Sequence, residues 1–125
     1  MSDFCDVALG DYDCEPQRFY HEERRRARKA HTCGECRETI QKGQMYRHAA
    51  GKDEDTIWTF KSCEACWEIL KEFSESSWCF GVVWDTFTSE WANGASLQGC
   101  LNRLTSVEAK MLMRRKWMQW KGLSA

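Results

Sequence analysis

Cys33-Gly34-Glu35-Cys36 and Cys63-Glu64-Ala65-Cys66 are two CxxC pairs, separated by twenty-six residues. Two residues between thiolates let one tight turn aim both sulfurs at a single ion about 2.3 Å away. Backbone amides in such a turn can also donate to the sulfurs and spread their charge. Two pairs complete a tetrahedral set, so the sequence predicts one structural Zn2+ held by Cys33, Cys36, Cys63 and Cys66 and closed to substrate. A site of this kind binds with about 10–16 kcal/mol, more than a small domain's ordinary stability, so the fold is expected to depend on its metal. A redox role for one CxxC leaves the other pair unexplained. Iron is the chemical alternative to zinc. His31 and His48 are read as surface residues or neighbours of the site rather than ligands.

Working outward, Cys5, Cys14, Cys79 and Cys100 have no metal-ligand spacing and are expected to be buried free thiols. The stretch from Met1 to Asp13 is acidic and lacks an apolar core, so no secretory signal is expected there. The longest uncharged apolar run, residues 78–84, is far too short to span a bilayer. These features point to a reducing cytoplasm, where eight cysteines suggest metal binding and buried thiols rather than disulfides.

A chain of 125 residues suits one domain, 1–125, and its 42% hydrophobic content is too apolar for a disordered segment. Seven Trp, six Phe and three Tyr supply large buried areas, and Trp also favours interfaces. The net charge of −1 conceals alternating blocks. Residues 1–16 and 53–90 are acidic, whereas residues 17–52 and 97–125 are basic. That pattern does not fit a uniformly cationic nucleic-acid binder, but it leaves room for a local basic face.

Residues 1–20 read as an acidic, largely irregular lead-in whose aromatics dock on the rest, and residues 21–30 as a short helix or an extended arm. Ile40, Met45 and Tyr46 flank the turn signal Lys42-Gly43, predicting a β-hairpin. Ile57-Trp58-Thr59-Phe60 alternates like a strand, with Asp53-Glu54-Asp55 as an exposed turn before it. Trp67, Ile69, Leu70 and Phe73 recur at helical spacing after the second cysteine pair, with Ser62 as the expected N-cap. Phe80, Val83, Trp84, Phe87 and Trp91 form an amphipathic stripe ended by Asn93-Gly94. A last, basic helix opens on Thr105-Ser106-Val107-Glu108, a capping-box pattern, and runs to Lys121-Gly122. The fold class is therefore α+β: a small zinc-stabilised domain with a β-hairpin and two or three C-terminal helices.

The order of knuckle, hairpin, strand and a second pair opening a helix resembles a treble-clef zinc finger. More specifically, Ala27, Arg28, Lys29, His31, the four cysteines, Ile40, Gly43, Tyr46 and Phe60 resemble the pattern ARKxHxCxECxxxIxxGxxY…FxxCxxC of small phage and prophage proteins. Asp11-Tyr12-Asp13, Pro16, Phe19-Tyr20, Cys79-Phe80-Gly81 and Trp84 extend the likeness over roughly residues 11–91. The resemblance implies zinc binding and a viral accessory setting, with no known activity attached. The finger is also similar to the nick-sensing fingers of poly(ADP-ribose) polymerases. Those use a Cys-Cys-His-Cys set, and Cys63 here departs from it.

Two basic surfaces are candidates for binding. Arg24, Arg25, Arg26, Arg28 and Lys29 could neutralise phosphates, or form a solvated arm balanced by Glu22 and Glu23. On the last helix Lys110, Arg114, Arg115, Lys116 and Lys121 mix with Trp117 and Trp120, which suits a partner groove or single-stranded nucleic acid, or packing on the chain's own core. Catalytic signatures are lacking. His21-Glu22-Glu23 ahead of Cys33 echoes zinc deaminases, but the proline is missing and four cysteines leave no position for water. No Walker loop, nucleophile elbow or HExxH is present. The expectation is a non-catalytic zinc module without a small-molecule substrate or membrane role. It would bind a macromolecule, a host protein if phage-encoded, with nucleic acid as the alternative.

Overall fold

The computed structural model describes residues 5, 7–9, 19–53, 55–74 and 81–122. The predicted aromatics Phe80 and Tyr12, and Cys14 and Cys79, lie outside them. The class is α+β, as expected. Strand β1 (Phe19–Arg26) pairs antiparallel with β4 (Met45–Asp53), and β4 pairs with β5 (Thr56–Cys63), giving a sheet of order β1-β4-β5. A second small ribbon, β2 (His31–Thr32) with β3 (Thr39–Ile40), flanks the first cysteine turn. Helices α1 (Glu64–Phe73), α2 (Val83–Ala92), α3 (Leu97–Asn102) and α4 (Val107–Lys121) follow.

The charged segment 21–30 is therefore strand for most of its length, not helix. Its register sets Arg24 opposite Arg47, a repulsive cross-strand pair. Glu64, in the first turn of α1, lies between them at 2.6 Å from Arg24 and 3.8 Å from Arg47, which removes the conflict and ties α1 to the sheet. The Arg47 guanidinium also sits over the Trp67 ring at 5.5 Å.

The hairpin expected around Lys42-Gly43 does not form. The turn is present, with Gly43 at φ +91°, but the strands on either side of it take different partners. Ile40 pairs back to His31, while Met45 and Tyr46 join β1 and β5. The local turn signal was sound; the cysteine knuckle captured the first strand.

The lead-in also departs from expectation. Val7 and Leu9 are fully buried, and Leu9 bridges in parallel to Ser74 at the end of α1. Cys5 and Cys100 are not free thiols: they form a disulfide across ninety-five residues of sequence. Cysteine spacing cannot reveal a connection of this range, because α3 alone brings the buried Cys100 to the N-terminal segment. Arg103 fastens the same segment, donating to the carbonyls of Cys5 and Val7 while stacking on Phe73 at 4.0 Å.

The core lies under α1, α2 and α4. Phe73 meets Phe87 edge to face at 4.9 Å, and Phe87, Trp91 and Trp120 continue the aromatic row. Helix α4 is core on one side, through Ala109, Leu112 and Met113. Its cap is Ser106 rather than Thr105: the Ser106 side chain accepts from the Ala109 amide. The carboxylate that completes the cap comes from α1, not from Glu108. Glu68 accepts from the Thr105 and Ser106 amides at 3.0 and 3.1 Å. Burial pushes the Glu68 carboxyl up, but hydrogen bonds from Ser106 and Thr105 outweigh it and hold the group below its ordinary 4.5. Its contribution is therefore complete above pH 4.5 and is lost as pH falls through the lowered folded value. We expect Glu68→Ala to lower stability by about 1 kcal/mol at pH 7, the scale of a lost helix cap. Urea unfolding should show that difference shrinking toward pH 3.

Candidate metal centre

The first cysteine turn, between β2 and β3, is shaped by its own backbone: Arg37 donates its amide to the Cys33 carbonyl, and Cys33 donates to Glu38. Arg37 adopts φ 66°, the left-handed conformation that closes the turn. Gly34 is held by close approach. A Cβ there would lie 2.5 Å from the Phe60 ring, so the knuckle can seat against β5 only with glycine at this position. The Gly34 amide donates to the Lys61 carbonyl at 2.8 Å, which continues that seating through the backbone.

The second turn opens α1. The N-cap is Cys63, not Ser62: its sulfur accepts from the Cys66 amide at 3.4 Å. Ser62 is instead buried on the strand. Placing a ligand sulfur at the cap puts it where the helix N-terminus favours negative charge.

The four sulfurs of Cys33, Cys36, Cys63 and Cys66 lie within 4.8 Å of one another, and those of Cys36 and Cys63 are 3.9 Å apart. A tetrahedron of metal–sulfur bonds of about 2.3 Å has edges of about 3.8 Å, so the cluster has the dimensions of one metal ion's coordination sphere. Cys33 and Cys66 are fully buried. The Cys33 sulfur accepts from the amides of Glu35 and Cys63 at 3.4 and 3.3 Å. These sulfurs share protons. Hydrogen bonds from Cys36, then Cys63 and Cys66, hold the Cys33 thiol far below its ordinary value. The Cys33 group, followed by Cys36, pushes Cys63 and Cys66 far above theirs. The four residues can hold a metal ion once those protons leave.

Around the cluster lie contacts that no motif announced. Glu35, between the first two cysteines, is buried, and its carboxylate accepts from the amides of Gly81 and Val83, the start of α2. Burial raises its pKa, against the two amide hydrogen bonds. Lys116 donates to the Cys36 carbonyl at 2.8 Å, and Arg115 grips Glu38 through two bonds, at 3.2 and 2.9 Å. Helix α4 is thereby clamped to the knuckle.

The basic residues singled out in the sequence part company. Arg24 turns to Glu64, and Arg25 pairs with Glu23. Arg26 donates to the Gly43 carbonyl, while Arg28 and Lys29 are exposed. On α4, Arg115 and Lys116 serve the knuckle, Trp117 and Trp120 are half-buried against the core, and Arg114 is exposed. Lys121 lies over both Trp rings. His31 packs tilted against Tyr46, with ring centroids 5.2 Å apart, and burial, then Lys61 and Lys29, hold it below its ordinary value.

Two open clefts differ in charge. One, of about 610 Å³, is lined by Arg24, Arg47, Lys71 and Arg103 against Glu64, Glu68, Glu72 and Glu108. The other, of about 860 Å³, is lined by Arg25, Arg26, Arg28 and Lys29 with Ala27, His31 and Tyr46, and by no carboxylate among the described residues. No helix among those residues is long and apolar enough to cross a membrane.

No family model, no curated protein and no solved structure matches this chain.

The proton inventory gives a direct expectation. Because the Cys33 and Cys36 groups push the Cys63 and Cys66 thiols up, binding of one Zn2+ at pH 7 should release at least two protons. Calorimetric titration in buffers of different ionisation enthalpy measures that number, and the affinity should fall as pH is lowered from 7 to 5.

Proposed function

We propose that the chain is a non-catalytic zinc module of the treble-clef kind that presents a surface to a macromolecular partner, a host protein in a phage-infected cell. The observation that carries the reading is the convergence of Cys33, Cys36, Cys63 and Cys66 on one point. Four soft thiolates in tetrahedral reach suit Zn2+, and with all four bound no position is left for a water nucleophile. When bound, the ion supplies a crosslink between the β2–β3 knuckle and the β5–α1 corner. Knuckle, β4–β5 hairpin and helix follow in the order that supports the treble-clef assignment.

The partner surface favoured by this reading is the outer side of α4. Val107 and Met111, 65% and 50% exposed, stand one turn apart on that helix, with Lys110 beside them and the exposed Arg114 beyond. An apolar pair with basic neighbours suits a groove that is apolar inside and acidic at its rim. The phage setting rests on the resemblance of residues 27–66 to phage and prophage proteins.

The test has two parts. Purified protein should contain one zinc per chain, and removing it with a strong chelator should abolish cooperative unfolding. From host lysate the wild-type protein should recover one protein at stoichiometric level, and Val107→Glu with Met111→Glu should lose it while keeping zinc and melting temperature. Metal-free protein that stays folded refutes the module, and failure to recover any protein refutes the partner.

A further inference from the structure

We propose that the groove beside the knuckle binds the phosphodiester backbone of a nucleic acid, through Arg26, Arg28 and Lys29. The inference is independent of the partner assigned to α4 and shares with it only the metal-closed knuckle.

The first observation is charge of one sign in a concave site. The chain carries a net charge of −1, and its other cleft balances four cations with four carboxylates. This groove has four cations and no carboxylate among the described residues lining it. Glu23 stands nearby but is held by Arg25, so that pair cancels itself. Arg26 spends its hydrogen bond on the Gly43 carbonyl, which leaves its charge unneutralised. Arg28 and Lys29 are exposed and have no carboxylate partner among the described residues. An uncompensated field of this kind attracts polyanions, and guanidinium forks match the paired oxygens of a phosphate.

The second observation is rigidity. Ala27, in the floor, exchanges backbone hydrogen bonds with the Lys42–Gln44 turn: its amide donates to Gln44 and its carbonyl accepts from Gly43, both at 2.8 Å. Arg25 and Arg26 are fixed in register with Tyr46 and Met45. A groove set in this way pays little ordering entropy on binding.

The third is aromatic surface. His31, half-buried and tilted at 43° against Tyr46, adds aromatic surface beside the cations, as base-stacking sites do. An acidic peptide has no use for that surface. An anionic membrane would call for exposed apolar anchors, and Ile57, Val107 and Met111, the large hydrophobics most exposed among the described residues, do not line the groove.

The test uses zinc-loaded full-length protein and fluorescein-labelled 20-nucleotide probes: single-stranded DNA, duplex DNA and single-stranded RNA. Anisotropy titrations between 50 and 200 mM NaCl should give log K falling linearly with log salt. Three phosphate contacts predict a slope of about −2.7 for duplex and about −2.1 for single strands. Arg28→Glu with Lys29→Glu should make the slope shallower by about two and weaken binding by at least about tenfold at 100 mM salt. Arg114→Glu should leave both unchanged. Zinc content and melting temperature, measured on every variant, confirm that the fold persists. Arg28→Ala gives a second route should the double variant misfold, and the wild-type slope needs no variant. The inference falls if none of the three probes binds at 50 mM salt. It falls equally if binding survives the charge reversal, if Arg114→Glu weakens it as much, or if polyglutamate of equal charge competes as well as unlabelled nucleic acid.

Discussion

Four sulfur atoms have to meet at one point, and two of them come from a turn near residue 35 while the other two come from the strand-to-helix corner near residue 65. Most of the contacts that position the elements are made on or beside those two turns. Gly34 seats under Phe60, Glu35 receives the first amides of α2, and the Cys36 carbonyl receives Lys116 of α4. Glu38 receives Arg115, and Glu64 reconciles Arg24 with Arg47 across the sheet. A metal ion held by the sulfurs would therefore fix where the sheet, α1, α2 and α4 stand relative to one another. A domain of this size buries too little apolar surface to be generous with stability, and a fastening at the hub stabilises more than one at the periphery.

A second fastening lies at the far side. The Cys5–Cys100 disulfide, the Leu9–Ser74 bridge and Arg103 hold the N-terminal segment over the end of α1. The two devices work on different residues: four free cysteines gather at the knuckle, and an oxidised pair serves the helical end. Carboxylates provide a third theme. Glu35 and Glu68 each complete the N-terminus of a helix to which they do not belong, so helix ends and tertiary packing are stabilised by the same bonds.

Much of this was legible. The paired spacing gave the cluster, the 3.6-residue recurrence of Trp67, Leu70 and Phe73 gave α1, and Ser106 with Gly122 bounds α4 close to its predicted limits. What misled was local and correct in its own terms. Lys42-Gly43 does turn, but its flanking strands pair elsewhere; Ser62 is a good capping residue, but the strand runs one residue further and Cys63 takes the role. The basic residues of α4 look like a binding face in sequence, yet Arg115 and Lys116 point back at the knuckle. Charge along a chain does not say which neighbour will answer it.

The sequence by itself determined the paired cysteines and most helices, because CxxC spacing and apolar periodicity are properties of residues only a few positions apart. The three-dimensional structure decided the rest: the β1-β4-β5 order, the disulfide over ninety-five residues, and the carboxylates shared between elements. Each of those joins residues far apart in the chain. Their meeting is fixed by which buried surfaces pack together, and no short window of sequence contains that information.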